Sequence, residues 1–177
     1  MSQTTADFGL IAAAIAGYEK RPGQIKMAKA IEAALAKKEH LVVEAPCGIG
    51  KSFAYLVPAI RHALATETRV VVVTANIALQ EQLIEKDLPA LARSLPERFS
   101  YALIKGINNY LCLDRYEEAD ADAGQLLLDA TESEQWETLH DWVGRTNTGD
   151  PSELDVSLDG SIWAKVNGVS ELCNGAH

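Results

Sequence analysis

Eight residues, Ala45-Pro46-Cys47-Gly48-Ile49-Gly50-Lys51-Ser52, constrain the fold more than any other feature of this 177-residue chain. They follow an apolar run, Leu41, Val42 and Val43, and precede Phe53, Leu56, Val57, Ile60 and Leu64, whose spacing is that of one helical face. A strand that turns through glycines into a helix aims successive backbone N–H groups at a common centre, beside the positive end of the helix. That is a cradle for a polyphosphate. Lys51 supplies a point charge for the β- and γ-phosphates, and the Ser52 hydroxyl a ligand for Mg²⁺. The string matches the phosphate-loop pattern from Gly50 to Ser52 and carries Ala45 in place of the first glycine. Cys47 lies inside the turn and reads as a small turn residue, not a metal ligand.

The flanking sequence continues the alternation. Residues 40–46 read as a buried strand, 51–66 as an amphipathic helix, and 70–74 as a second β-branched strand. Leu79, Leu83, Leu88, Leu91 and Leu95 then mark a helix whose regularity Pro89 limits, and residues 99–104 read as a third strand. Strand, helix, strand, helix, strand predicts an α/β fold, a parallel sheet flanked by helices. Upstream, residues 7–18 and 24–37 read as helices separated by Lys20-Arg21-Pro22-Gly23. Beyond residue 106 the pattern weakens. Residues 125–143 suit a helix with Leu127, Trp136, Leu139 and Val143 inward, and 145–160 read as loop.

Charge divides the chain at the same place. The net charge is −9, yet Lys and Arg outnumber Asp and Glu by 13 to 10 through Lys105 and are outnumbered 15 to 3 beyond it. Two regions are expected, 1–105 and 106–177. With 47% hydrophobic and 23% charged residues the composition is globular, which excludes collagen-like and wholly disordered classes. The longest apolar stretch, residues 10–16, is too short to span a bilayer and has no basic residue before it, so a soluble, cytoplasmic chain without membrane partners is expected. Three widely separated cysteines make a poor disulfide framework.

Three motifs together resemble a known family. Ala45 to Ser52 is similar to motif I of superfamily-two helicases, where the first position is commonly Ala. Arg21-Pro22-Gly23-Gln24, with Met27 following, resembles the adenine-recognising element of the iron–sulfur, XPD-like branch of that superfamily. Thr74-Ala75-Asn76-Ile77-Ala78-Leu79-Gln80-Glu81-Gln82-Leu83 resembles its motif Ia, and the likeness to DinG-type helicases continues through Lys86-Asp87-Leu88-Pro89 and Lys105-Gly106-Ile107-Asn108-Asn109-Tyr110-Leu111-Cys112, then loosely over residues 154–173. The resemblance implies a RecA-like P-loop NTPase core, followed by the start of a mainly helical iron–sulfur insertion. It implies ATP and Mg²⁺, with Arg21 and Gln24 joining residues 45–52 around the nucleotide; the Gln24 carboxamide suits the amino group and ring nitrogen of adenine. Thr74, Asn76, Gln80 and Gln82 offer neutral donors for the phosphates of single-stranded DNA, although Asn76 is also well placed to cap a helix.

The family's four-cysteine insertion implies Cys112 and Cys173 as two ligands of a 4Fe–4S cluster, which two thiolates alone do not hold. The Asp-Glu-x-His box that completes the family's Mg²⁺ site occurs nowhere in the chain, and Glu117-Glu118-Ala119-Asp120 reads as solvent-facing surface. The sequence therefore suits the opening portion of a 5′-to-3′ DNA helicase, cut within its insertion and nearly inactive in hydrolysis. Three other readings stand beside it: a small P-loop kinase or nucleotide hydrolase, a non-catalytic adenine-nucleotide or DNA-binding module, and a redox sensor built on Cys112 and Cys173.

Overall fold

The computed structural model describes residues 3–123 and 130–172. The chain divides into two compact units, Met1–Leu103 and Ile104–His177.

In the first unit, α1 (Gln3–Ala14) buries Thr4, Asp7, Phe8 and Ile11, a stripe at helical spacing. It starts and ends four residues earlier than the pattern predicts, because the chain turns through Gly17 at a φ of 75°. Helix α2 (Pro22–Lys37) begins with proline in its first turn, where the missing N–H is no loss, and ends on Lys38 in the left-handed conformation, whose N–H meets the carbonyls of Ala34 and Leu35. Helix α3 (Lys51–Thr66) buries Ala54, Leu56, Val57 and Ile60 against Phe8, Ile11 and Ala28. The stretch after residue 76 is one helical run in three parts: α4 (Ile77–Gln82), a π turn (Leu83–Asp87) and α5 (Leu88–Ser94). Pro89 explains the middle part. It has no N–H for the carbonyl four residues back, so the turn widens and the Leu88 N–H reaches the Leu83 carbonyl instead.

A buried ion pair ties these helices together. Asp7 is 0% exposed and Arg61 on α3 is 15% exposed along its side chain. The guanidinium donates from Nε to one Asp7 oxygen at 2.7 Å and from a terminal nitrogen to the other, while its remaining nitrogen lies 2.6 Å from Glu97. The Asp7 hydrogen bond is the chief reason the Arg61 pKa rises above its ordinary value.

The expected parallel sheet is not shown among the described residues. The runs 40–46, 70–74 and 99–104 carry no ladder of paired strands; the bridge between Leu111 and Asn167, in the second unit, is isolated. The physical reason lies in what surrounds them. Val42, Val71 and Val73 are 97%, 80% and 86% exposed, while Val43, Val70 and Val72 between them are about half as open. Period-two alternation is that of a strand, but a parallel-sheet strand needs bonded neighbours on its edges and layers on both faces. Here one side of each valine run is more than a third exposed and the other almost wholly so.

The second unit holds α6 (Leu113–Ala123), α7 (Ala130–Val143) and α8 (Gly160–Val166) around Tyr116, Leu139, Trp142, Ile162 and Val166. Leu139 of the predicted inward face is buried and Trp136 and Val143 pack at the rim; Leu127 lies outside the described residues. Glu117, Glu118 and Asp120 are exposed. Arg115 clamps the end of α8, donating to the Ala164 carbonyl at 2.8 Å and to the Asn167 side chain at 2.9 Å. The segment 144–159 has little regular structure and is held by carboxylates. Glu153 accepts from the Trp142 indole at 3.2 Å and from Thr146 and Thr148, each at 2.6 Å, and Asp150 lies 2.7 Å from the Lys105 ammonium.

Burial alone pushes the Asp150 carboxyl up, but Lys105 and the Ser152 N–H outweigh it and hold the group below its ordinary 3.8. A depressed carboxylate stabilises the fold above the unfolded pKa, and that contribution vanishes as pH falls through the folded one. The three tryptophans, Trp136, Trp142 and Trp163, all lie in this unit. Their fluorescence is therefore expected to hold steady down to about pH 4 and to report unfolding below it, with Lys105→Met shifting the onset to higher pH. An onset unmoved by Lys105→Met would mean that the pair contributes nothing.

Candidate functional site

The glycine turn behaves as its composition demands. Gly48 and Gly50 have φ of 84° and 79°, the left-handed region closed to most side chains. Gly50 is the N-cap of α3, so the loop delivers Lys51 and Ser52 to the first turn of that helix. The Lys51 ammonium folds back over the loop, donating to the Ala45 carbonyl at 2.6 Å and the Pro46 carbonyl at 3.0 Å. Cys47 is exposed at the crest of the turn, and Ile49 is half-buried. On the first turns of α3, burial raises the Tyr55 pKa, and the neighbouring Ser52 opposes it.

Two residues from the start of α2 reach the same loop. The Arg21 guanidinium donates to the Gly48 carbonyl, and Gln24 Nε2 donates to the Gly50 carbonyl at 2.9 Å. A Cβ on Gly50 would stand 2.2 Å from Gln24 Nε2, so any other residue there would push the Gln24 carboxamide aside, while the φ itself favours glycine. The structure thus brings Arg21, Gln24 and residues 45–52 together around one turn, and beside them opens a cleft of about 450 Å³, inside the range of small-molecule sites, roughly 300–1,000 Å³. One wall holds Tyr18, Arg21, Gln24, Gly50, Ser52 and Phe53, and the other Gln82, Lys86, Asp87 and Ala90.

The motif Ia residues bond mainly within their own segment. Thr74 Oγ1 accepts from the Asn76 N–H at 3.1 Å, and Asn76 Oδ1 caps α4 by accepting from the Leu79 N–H at 3.2 Å. Gln80 is half-buried on α4. Gln82 lines the cleft and donates to Asp87 at 3.0 Å, a five-residue spacing that the π turn brings into register. Sequence reasoning passed over Tyr18, Phe53, Lys86 and Asp87. An aromatic six residues before Gln24 was a usable signal for the first, whereas the last two face the cleft by virtue of the π turn.

For an iron–sulfur cluster the donor set does not fit. Such a cluster takes four thiolates, and the described residues of the second unit offer Cys112 alone, half-buried, with its N–H bonded to the Val166 carbonyl at 2.8 Å. Cys173 lies outside the described residues, and among those described no three His, Cys, Asp or Glu side chains converge as metal ligands. For Mg²⁺ the fit is good. One hard oxygen, Ser52, at the head of an amide-lined turn is what an ion that keeps its waters and shares phosphate oxygens requires.

A glycine turn opens a helix here, with a glutamine from the preceding helix bonded to it, and residues 24–109 match the DEAD/DEAH box helicase family. That match implies a RecA-like fold. The chain is similar to the ATP-dependent helicase DinG of Mycobacterium tuberculosis (strain ATCC 25177 / H37Ra), 37% identical over 99% of this chain and 29% of that protein. It is 36% identical to the ATP-dependent DNA helicase YoaA of Escherichia coli (strain K12), over 99% of this chain and 27% of that protein. It is 37% identical to the 3′-5′ exonuclease DinG of Bacillus subtilis (strain 168), over 85% of this chain and 16% of that protein. The chain spans less than a third of the length of these curated relatives. Among the described residues no helix is long and apolar enough to cross a membrane.

Proposed function

We propose that this chain is the ATP-binding front of a 5′-to-3′ DNA helicase: residues 1–105 form the first part of the RecA-like domain and 106–177 an incomplete insertion of the iron–sulfur type. One observation carries the reading, the convergence of Gly48, Gly50, Lys51 and Ser52 with Gln24 on a single turn beside a cleft of nucleotide size. The names of two of the relatives, both ATP-dependent helicases, support the helicase part of it. Bound Mg·ATP would supply the phosphoanhydride whose cleavage drives such motors. The chain's own residues would act as follows: the amides of residues 48–52 surround the phosphates, Lys51 leaves the Ala45 and Pro46 carbonyls to meet them, Ser52 ligates the ion, and Arg21 and Gln24 hold the loop from α2. Gln82 and Gln80 are proposed to contact single-stranded DNA, with Thr74 and Asn76 shaping the turn that presents them. The runs 40–46, 70–74 and 99–104 are proposed strands of the RecA-like sheet, a role that the alternating exposure of their valines supports.

Without the Asp-Glu-x-His box the second side of the Mg²⁺ site and the orientation of water are unprovided. The chain by itself is therefore expected to bind Mg·ATP weakly and to turn it over at no more than a trace rate. Calorimetric titration with Mg·ATP beside a phosphate-release assay checks this. Heat without phosphate release is the expected result; DNA-stimulated hydrolysis that Lys51→Ala abolishes would show the site to be complete, and no heat at all would remove the reading.

A further inference from the structure

Gln24 is 3% exposed, and its carboxamide has four hydrogen-bonding valences, two donor and two acceptor. Nε2 donates to the Gly50 carbonyl at 2.9 Å. A carbonyl only accepts, so this bond determines which end of the amide is nitrogen. On the other side Oε1 accepts from the Tyr18 hydroxyl. One donor and one acceptor remain. Adenine offers an acceptor at N7 and a donor at its amino group, whereas guanine offers acceptors at both N7 and O6. The residual valences of Gln24 match the first purine and leave the second with a repulsive pair.

Tyr18 is itself held. It follows the turn at Gly17, its N–H meets the Ile15 carbonyl at 3.2 Å, and its ring stacks on Phe53 of α3 at 6.3 Å between centroids and 16° between planes. Burial raises the pKa of its hydroxyl, against the opposing influence of Arg21 and of the bond to Gln24, so the group keeps its proton through the neutral range.

We propose that Tyr18 is a positioning residue for purine selection: its hydroxyl and the Gly50 carbonyl grip the Gln24 carboxamide from opposite ends and fix the orientation that accepts from an adenine amino group and donates to N7. This rests on the reading of Gln24 as the adenine-facing residue. Phosphate binding, governed by the loop and Lys51, is independent of it. Tyr18→Phe keeps the ring on Phe53 and removes the bond alone.

Calorimetry on the full 177-residue chain, with Mg·ATP, Mg·GTP and Mg·tripolyphosphate as probes, tests the proposal. In Tyr18→Phe the affinity for ATP is expected to fall about three- to tenfold, the effect of one neutral hydrogen bond, with GTP and tripolyphosphate unmoved, so that the preference for adenine narrows. An unchanged ratio of ATP to GTP affinity overturns the proposal. So does an equal fall for tripolyphosphate, which would mark Tyr18 as a prop for the loop. Gln24→Ala separates the two layers. If it leaves the purine preference intact, Gln24 does not read the base and the assignment of Tyr18 goes with it; if it erases the preference while Tyr18→Phe has no effect, only the role of Tyr18 is lost. A wild-type chain that takes up none of the three probes overturns the phosphate-site reading and this one together.

Discussion

Replacing Lys51 by alanine is expected to weaken binding of Mg·ATP by roughly ten- to a hundredfold, the effect of losing a charged partner for the phosphates. The side chain is exposed and its two bonds, to the Ala45 and Pro46 carbonyls, lie within the loop itself. Removing it therefore leaves the packing of α3 untouched, and stability should move by no more than about 0.5 kcal/mol, as for surface substitutions generally. Calorimetry and thermal unfolding of the same preparations measure both quantities. Equal affinity in wild type and variant would mean that the glycine turn binds nothing through its lysine, and the nucleotide reading would lose its main support.

The second large effect concerns the fold. Arg61→Leu leaves Asp7, 0% exposed, without its cationic partner. Breaking a buried pair from one side costs about 3–5 kcal/mol, a large share of the roughly 5–15 kcal/mol that holds a domain together. The first unit contains no tryptophan, so the expected result is a urea transition in far-ultraviolet circular dichroism that moves well below the transition in tryptophan fluorescence. Asp7→Leu combined with Arg61→Leu should recover most of the loss, since no orphaned charge then remains. A single variant as stable as wild type would show that the carboxylate finds water when the guanidinium is gone.

Much of this arrangement was legible in the residues themselves. Glycine at 48 and 50 announces positive φ, and the spacing of Leu56, Val57 and Ile60 announces the buried face of α3, because each depends on local sterics or on a periodicity fixed within a few residues, whereas Pro22, read as a break, is in fact the first residue of α2. What stayed hidden depends on distant partners. Nothing near Asp7 in sequence says that Arg61 will meet it. The widened turn at residues 83–87 was foreshadowed only as an irregularity at Pro89, and its effect, bringing Gln82 and Asp87 onto the cleft, follows from a change of helical register that periodicity at 3.6 does not contain. The valine runs are legible as continuous β-branched stretches, whereas a strand's ladder is supplied by other strands and its own side chains carry no record of whether they are present. In the second unit, α6 and α8 escaped notice because their apolar positions, Tyr116, Ile162 and Val166, are too few to stand out from an acidic background.

The uncovered sides of Val42, Val71 and Val73 bear on how this chain behaves in a tube. Exposed β-branched segments are templates for cross-β stacking between molecules, and mutual repulsion at a net charge of −9 is the force that opposes it. Salt and acid both weaken that repulsion. Concentrated stocks should stay clear in dilute buffer at neutral pH and turn to fibrous precipitate near the isoelectric point, with the two valine runs as the seeds.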